Sequence, residues 1–493
     1  MINSYVASYD FGTSSVKAVL VDFQGNVISS STAGYSLLTP NADWAEQSPE
    51  AYWDAVCEAT KQALAKADID PENVKGVVFG TQWKGIIPLD AQGEVLYNAI
   101  IWLDGRAGIQ AAKLNARMNT DEFCNKDYWP KLMWFKEELP EIYERTACFL
   151  EINSFLKYKA TGIKAVDLTN SFTRSIDEKL QSYYDIVLAA AELDPDKFPP
   201  IVMPSENIGG LTAAAAKALG LAEGTPVFGG CGDIPAIAIG SGCSSLGSVH
   251  IYLGSSGWLG TVVPERSEGI GELYQSLDRG KELMIYTLQS AGMTLNWAID
   301  QLYHYEKENL KDNIFDFINK EIADIAPGSM NMIATPWLHG ERPPLSKNAK
   351  AVFFNVTNLH DRRHFINAVL EGICYHLRWK IDIYKKETGK TIDTIRVVGG
   401  GASSDHWMQM MSNILQTSVE IPANVRHAGS IGTAYCALIG LGQCSDFEEA
   451  AKMAVAVKTF LPQKEYAAMY DKLFSVFQQL FYQMESMFDQ LNS

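Results

Sequence analysis

The stretch VFGGCGDIPAIAIGSG, residues 227–242, carries one charge, Asp233, among small and apolar side chains. A carboxylate there is poorly solvated in its charged form, which raises its pKa and suits it to accept a proton. Asp233 also precedes Ile234-Pro235, where an Asp caps a helix opened by proline. The local sequence leaves both roles open, and they are compatible. A second carboxylate, Asp10, leads into Gly12-Thr13-Ser14-Ser15. A strand ending in Asp before a hydroxyl-rich glycine turn can aim N–H groups and hydroxyls at phosphate oxygens while the Asp meets Mg²⁺ or its waters. The same residues also make an ordinary hairpin turn with an Asx-type hydrogen bond. Gly254-Ser255-Ser256-Gly257 repeats the design in the second half, and two such turns could hold a polyphosphate from both sides. A third element, IRVVGGGASSDHWMQMMSNIL, residues 395–415, runs a strand through Gly399-Gly400-Gly401-Ala402 into a helix. Backbone without side chains there lets a flat ring, such as a nucleotide base, lie close.

These residues need strands and helices to hold them. The opening segment alternates β-rich runs with turn signals, predicting antiparallel strands over Tyr5–Asp10, Val16–Asp22 and Val27–Tyr35. Ser48 and Pro49 then open a helix whose Trp53, Val56, Cys57, Ala63 and Leu64 recur at helical spacing. Val74–Gln82 follows as a buried strand, and strands and helices alternate up to the Asp233 loop. Beyond it Ser248–Val263 is again strand, Gly/Ser turn, strand, so the two halves share a grammar that predicts a duplicated fold with domains 1–245 and 246–493. A long apolar stripe over Lys464–Leu491 predicts a helix that packs along its own domain or forms a subunit contact, with a homodimer the second alternative.

Bulk properties bound the function. A chain of 493 residues, 47% hydrophobic and 20% charged, is long enough for two cores. A net charge of −17 with no lysine or arginine run argues against nucleic acid or an anionic membrane as partner. An anionic ligand would have to be held locally, by N–H groups, a metal and a few cations. The eight cysteines show no C-x-x-C pair and predict reduced, mostly buried thiols. With no signal-type N-terminus and no 18-residue apolar run, a soluble cytoplasmic protein is expected.

Taken in order, Asp10-Phe11-Gly12-Thr13-Ser14-Ser15, Trp102-x-Asp104-x-Arg106, Gly232-Asp233, Leu253-Gly254-Ser255-Ser256-Gly257, Gly340-Glu341-Arg342-x-Pro344, Gly399-Gly400-Gly401-Ala402 and Gly429-x-x-Gly432 resemble the FGGY carbohydrate kinases over nearly the whole chain. WLDGRA and LHGERPP lean toward the xylulokinase branch. The resemblance implies an α/β fold of two actin-like, ribonuclease-H-like domains with ATP and sugar in an interdomain active-site cleft. It places Asp233 on the family's catalytic base and Asp10 on the acid near Mg²⁺ and the phosphates, with Asp10 and Asp233 both meeting the metal indirectly, as Mg²⁺ carried by ATP. Gly12, Thr13, Ser14 and Ser15 fall on the first phosphate loop, and Gly254, Ser255 and Ser256 on the second. Gly400, Gly401 and Ala402 fall on the adenosine side, with Asn413 where an aspartate is common. Gln82, Trp83, Lys84, Gly85 and Asp104, with Asp233, line the sugar pocket.

Two departures bear on the sugar. Gln82-Trp83-Lys84-Gly85 stands where xylulokinases commonly have Gln-Met-His-Gly, and Gly232-Asp233-Ile234 where they have Gly-Asp-Asn. Lys84 either points to solvent or offers three donors and a positive charge to a carboxylated sugar such as gluconate. Ile234 removes an amide that could bind a hydroxyl. The expected activity is ATP-dependent phosphorylation of D-xylulose to D-xylulose 5-phosphate, with ribulose, a polyol or gluconate as the alternative sugar. The alternative of another class is an actin-like or chaperone-like ATPase. Chaperones of that kind append a peptide-binding domain, whereas only about ninety residues follow the Gly399 turn here.

Overall fold

Each of the N-terminal β-rich runs forms a strand, and alternate residues along the first already sort its two faces. In this computed structural model, which describes residues 4–269, 271–310, 313–342 and 345–492, the chain divides into two units. The first holds residues up to Gly240 together with Gln275–Arg279 and His427–Met453; the second holds Ser241–Tyr274, Gly280–Arg426 and the chain from Ala454 onward. A division into 1–245 and 246–493 would assign Gln275–Arg279 and His427–Met453 to the second half, yet both pack in the first unit.

The sheet of the first unit contains β1 (Tyr5–Phe11), β2 (Ser15–Asp22), β3 (Val27–Gly34), β4 (Val74–Thr81), β5 (Asn207–Gly210), β6 (Pro226–Phe228) and β7 (Cys231–Gly232). Its order is β5-β6-β4-β1-β2-β3, with β7 also on β4. β1, β2 and β3 are antiparallel neighbours, while β4 runs parallel to β1 and β6 parallel to β4. On β1, Ala7, Tyr9 and Phe11 enter the core beneath the helix Pro49–Ala67. That helix starts where expected: the Ser48 hydroxyl accepts the Ala51 N–H at 3.3 Å, Pro49 occupies the first turn, and Tyr52, Trp53, Val56, Ala63 and Leu64 are buried. Val6 and Ser8 face the other way. Val6 joins a core with Ile431, Ala434 and Leu438 of the helix Ala428–Gly440, and the Ser8 hydroxyl donates to the Ser430 carbonyl at 2.6 Å. Asp10, two residues on, therefore also faces that helix.

The second sheet repeats this plan with β8 (Val249–Leu253), β9 (Gly257–Pro264), β10 (Glu272–Gln275), β11 (Lys281–Leu288), β12 (Thr394–Val398), β13 (Ser418–Pro422) and β14 (Ala456–Phe460), in the order β10-β11-β9-β8-β12-β13-β14. β8 pairs antiparallel with β9 and parallel with β12, as β1 does with β2 and β4. The duplicated α/β architecture expected from the sequence is therefore present in both units. The helices Arg362–Thr388 and Ala467–Asn492 supply much of the second core. On the latter Tyr470, Leu473, Phe474, Phe477, Leu480, Phe481 and Phe488 are buried in their own unit, and Leu491, 83% exposed, lies past the packed stripe. Among the described residues no helix is long and apolar enough to cross a membrane.

Candidate active site

Asp233 is the first residue of the helix Asp233–Gly240, and its Oδ1 accepts the Ile234 N–H at 2.9 Å. That bond comes from the adjacent N–H rather than from the second or third helical N–H that a cap would take, and the carboxyl has the features of a proton acceptor. The carboxyl is pushed up to about 7, first by burial and then by the negative charge of Asp10, while the Asp233 and Ile234 N–H groups pull the other way. β7 delivers Asp233: its Cys231 and Gly232 pair with Gly80 and Thr81 of β4, and the Gly232 N–H donates to the Thr169 hydroxyl at 2.8 Å. Gly232 has to be glycine, because a Cβ there would stand 1.7 Å from Trp83 Nε1.

Asp10 lies near the end of β1, with Lys17 Nζ at 3.6 Å from Oδ2. Above it runs the helix Ala428–Gly440, where a Cβ on Gly429 would come to 3.2 Å from Asp10 Oδ2. The following turn is closed by the Gly12 N–H to the Ser15 carbonyl at 3.1 Å. It is braced by the Tyr35 hydroxyl on the Gly12 carbonyl and Gln47 Nε2 on the Thr13 carbonyl, both at 2.6 Å. Gly12 and Ser14 are exposed, so this turn of N–H groups and hydroxyls is open to an anion beside Asp10.

The residues expected around the sugar divide into exposed and locked groups. Gln82 is buried: its Oε1 accepts the Thr13 hydroxyl at 3.2 Å and Trp102 Nε1 at 3.0 Å, and its Nε2 donates to Gln47 Oε1 at 3.2 Å. It ties the first turn to the Trp102 loop. Asp104 is fully buried and accepts the Ala45 N–H at 2.6 Å and, from Arg106, the backbone N–H at 3.0 Å, Nε at 2.9 Å and Nη2 at 2.8 Å. Arg106 also holds Glu46 at 2.7 Å and lies over Trp44, 3.8 Å from the ring centroid. Asp104 therefore supports the Trp102 loop with all its acceptor capacity engaged. Gly85 packs against Ile152, whose Cγ1 would be 2.5 Å from an added Cβ. Trp83 and Lys84 keep partial exposure. Trp83 meets Phe172 edge to face at 5.9 Å, and Lys84, at φ 58°, donates to Asp127 Oδ1 at 2.6 Å.

In the second unit Gly254-Ser255-Ser256-Gly257 joins β8 to β9, with the Gly254 N–H bonded to the Ser256 carbonyl at 3.0 Å. The helix Gly292–Leu302 grips it: the Gly292 N–H donates to the Gly254 carbonyl at 3.0 Å and the Met293 N–H to the Ser255 carbonyl at 2.9 Å. Glu341 steadies that segment by accepting the Gln289 N–H at 3.0 Å and the Arg342 N–H at 2.8 Å; Pro344 of the same motif lies outside the described residues. At the third turn the glycines differ. Gly399, at φ 96°, would place a Cβ 2.4 Å from the Leu253 carbonyl, and Gly401 would place one 2.6 Å from Trp407; Gly400 faces open space. Ala402 is buried behind them. Asn413 is also buried and its amide is taken up internally, by the Gln463 N–H at 2.9 Å, Gln409 Nε2 at 3.0 Å and Gln463 Oε1 at 2.9 Å.

The N-terminal domain of the FGGY family of carbohydrate kinases matches residues 5–240 and its C-terminal domain residues 251–441. The chain belongs to this family. Among similar proteins, the xylulose kinase of Bacillus subtilis (strain 168) is 26% identical over 490 residues, covering 97% of this chain and 96% of that protein. A gluconokinase of Bacillus licheniformis is 26% identical over 506 residues, covering 99% and 98%. The solved structure of a xylulose kinase from Lactobacillus acidophilus shares the two-domain, actin-like fold, with a TM-score of 0.84 at 24% identity over 99% of this chain and 100% of that one.

Several residues of this FGGY kinase that shape the site escape sequence reasoning. Asp127, Glu46 and Thr169 lie 43, 58 and 63 positions from Lys84, Asp104 and Gly232 respectively, and no local pattern pairs them. Gly429 was legible only as half of a glycine pair, without its partner Asp10.

Proposed function

We propose that this FGGY kinase transfers the γ-phosphoryl group of ATP to a terminal hydroxyl of a neutral ketopentose, D-xylulose foremost. The observation that carries the reading is Asp233, a carboxyl at the head of a buried helix whose pKa near 7 suits it to take a proton at neutral pH. As the sugar oxygen bonds to the γ-phosphorus, the bond to the bridging oxygen of ADP breaks and the hydroxyl proton passes to Asp233. In a loose transition state of this kind the protein positions the groups and offsets charge, while the base acts late.

The remaining roles follow from what each group offers. Gly12 to Ser15 present N–H groups and hydroxyls to phosphate oxygens, and Gly254 to Ser256 do the same in the second unit. The open face at Gly400 suits the adenosine end. Asp10, which leads into the open Gly12–Ser15 turn, would hold Mg²⁺ together with the nucleotide. That ion, when bound, supplies charge neutralisation on the phosphates. ATP as substrate and reduced thiols are consistent with a cytoplasmic setting.

A second reading, an aldonate such as gluconate, is favoured by the ammonium of Lys84. Its ion pair with Asp127 at 2.6 Å weighs for the neutral sugar instead. The test is ADP release measured with D-xylulose, D-ribulose, gluconate and glycerol against a no-sugar control. Xylulose is expected to give the highest kcat/KM. An ATPase rate unaffected by every sugar would overturn the kinase reading in favour of a sugar-independent ATPase.

A further inference from the structure

The segment Gln82–Gly85 is held on both sides of Lys84. Gln82 is fixed to Thr13 and Trp102, Trp83 rests on the bare backbone of Gly232, and Gly85 lies against Ile152. Lys84 itself sits at φ 58°, a conformation that non-glycine residues adopt rarely and that clusters at functional sites. With its backbone fixed, what its ammonium can bind depends on its side-chain partner.

That partner behaves unusually. Asp127 occupies the capping position of the helix Tyr128–Glu138, where an Asp ordinarily accepts N–H groups of the first turn, but its carboxylate makes no such bond. Oδ1 instead accepts Lys84 Nζ at 2.6 Å and Oδ2 accepts the Cys124 N–H at 2.8 Å. Burial works to raise the Asp127 pKa, but Lys84 and the Cys124 N–H outweigh it and hold the carboxyl below its usual value, so it is a full counter-ion at neutral pH. A second cation, Lys131, donates to the Ile101 carbonyl at 2.8 Å and is pushed down to about 7, chiefly by burial. Lys84 is the cation within the Gln82–Gly85 segment that a carboxylated sugar would seek, and Asp127 already neutralises it.

We propose that Asp127 determines substrate class: it keeps Lys84 as a compensated cation, so the pocket takes neutral sugars and turns away aldonates, whose carboxylate would have to displace Asp127 and leave it unpaired. The proposal rests on the reading that Gln82–Gly85 line the sugar site. Its test compares kcat/KM for gluconate and D-xylulose in the full-length wild type, Asp127→Asn, Lys84→Met and the double variant. In Asp127→Asn the gluconate-to-xylulose ratio should rise about tenfold or more, the worth of one charge-assisted hydrogen bond. The gain should appear in KM for gluconate and weaken with added salt, which a merely structural effect would not do. The double variant should lose it. An unchanged ratio in Asp127→Asn, or a raised ratio that survives removal of Lys84, overturns the proposal. If Asp127→Asn fails to fold, Lys84→Met decides: it leaves Asp127 unpaired and should lower the ratio, and a rise overturns the proposal. Failure of the underlying reading looks different, because Lys84→Met would then leave KM for every sugar unchanged.

Discussion

Replacing Asp233 by Asn should abolish phosphoryl transfer and, at alkaline pH, make the protein more stable. In the folded chain the carboxyl rises from the ordinary aspartate value of 3.8 to about 7, with burial the larger cause and Asp10 the smaller. A folded-state pKa above the unfolded one means that the native state holds the extra proton between those two values, so stability falls as pH rises through that window and is flat above it. At ~1.4 kcal/mol for each pH unit between 3.8 and about 7, the loss reaches about 4 kcal/mol at most. Asp233 is only half-buried as a residue, so solvent relieves part of this, and ~2–4 kcal/mol is the expected range. Asn keeps the oxygen that accepts the Ile234 N–H and removes the charge, so the variant isolates this effect. Thermal unfolding of both proteins at pH 4.5, 6, 7.5 and 9 (a chosen series) should show a gap in Tm that opens in favour of Asp233→Asn up to about pH 7. The wild-type kcat/KM for the sugar should lose activity on the acid side near the same pH, as the base becomes protonated. Parallel Tm profiles, or full transfer activity in Asp233→Asn, would refute the reasoning.

Two glycine comparisons test the turn and the acid pair. Gly399→Ala combines φ 96° with a Cβ 2.4 Å from the Leu253 carbonyl and should destabilise by ~1–3 kcal/mol in denaturant titrations, whereas Gly400→Ala meets nothing within 4 Å and should leave stability alone while raising KM for ATP. Gly429→Ala places a methyl 3.2 Å from Asp10 Oδ2 in the first turn of its helix, so Tm should change little while kcat falls, on the order of tenfold. Equal losses of Tm in Gly399→Ala and Gly400→Ala, or an unchanged kcat in Gly429→Ala, would contradict these placements.

What the sequence makes legible is what short-range physics decides. β-rich runs separated by turn residues yield β1, β2 and β3, Ser48-Pro49 marks the helix start, and the isolation of Asp233 among apolar residues already implies its raised pKa. Roles that depend on a distant partner stay hidden. Asp104 reads as a pocket acid but is locked by Arg106, whose other ligand is Glu46, and Asn413 spends its amide on Gln463 and Gln409. The three glycines at 399–401 look alike in sequence; only the positions of Leu253 and Trp407 show that two serve internal packing and one faces outward. Lys84 is the sharpest case, since its meaning turns on a carboxylate 43 residues away.

The pairing of Asp233 with Asp10 depends on a helix contact that only glycine permits. A Cβ on Gly432 would lie 1.8 Å from the Ala236 carbonyl, and one on Gly240 would lie 1.9 Å from the Ala428 carbonyl, so the helices Asp233–Gly240 and Ala428–Gly440 meet backbone to backbone. The first carries Asp233 at its head and the second carries Gly429 over Asp10. The same second helix buries Val6 and Val78 with Ile431, Ala434 and Leu438, and Thr433 fills the space left by Gly80, where a Cβ would be 2.2 Å from its hydroxyl. The return of His427–Met453 to the first unit therefore has a chemical reason as well as a topological one. One helix, supplied from late in the chain, closes the core behind β1 and β4. It also sets the spacing that lets Asp10 act on the proton affinity of Asp233.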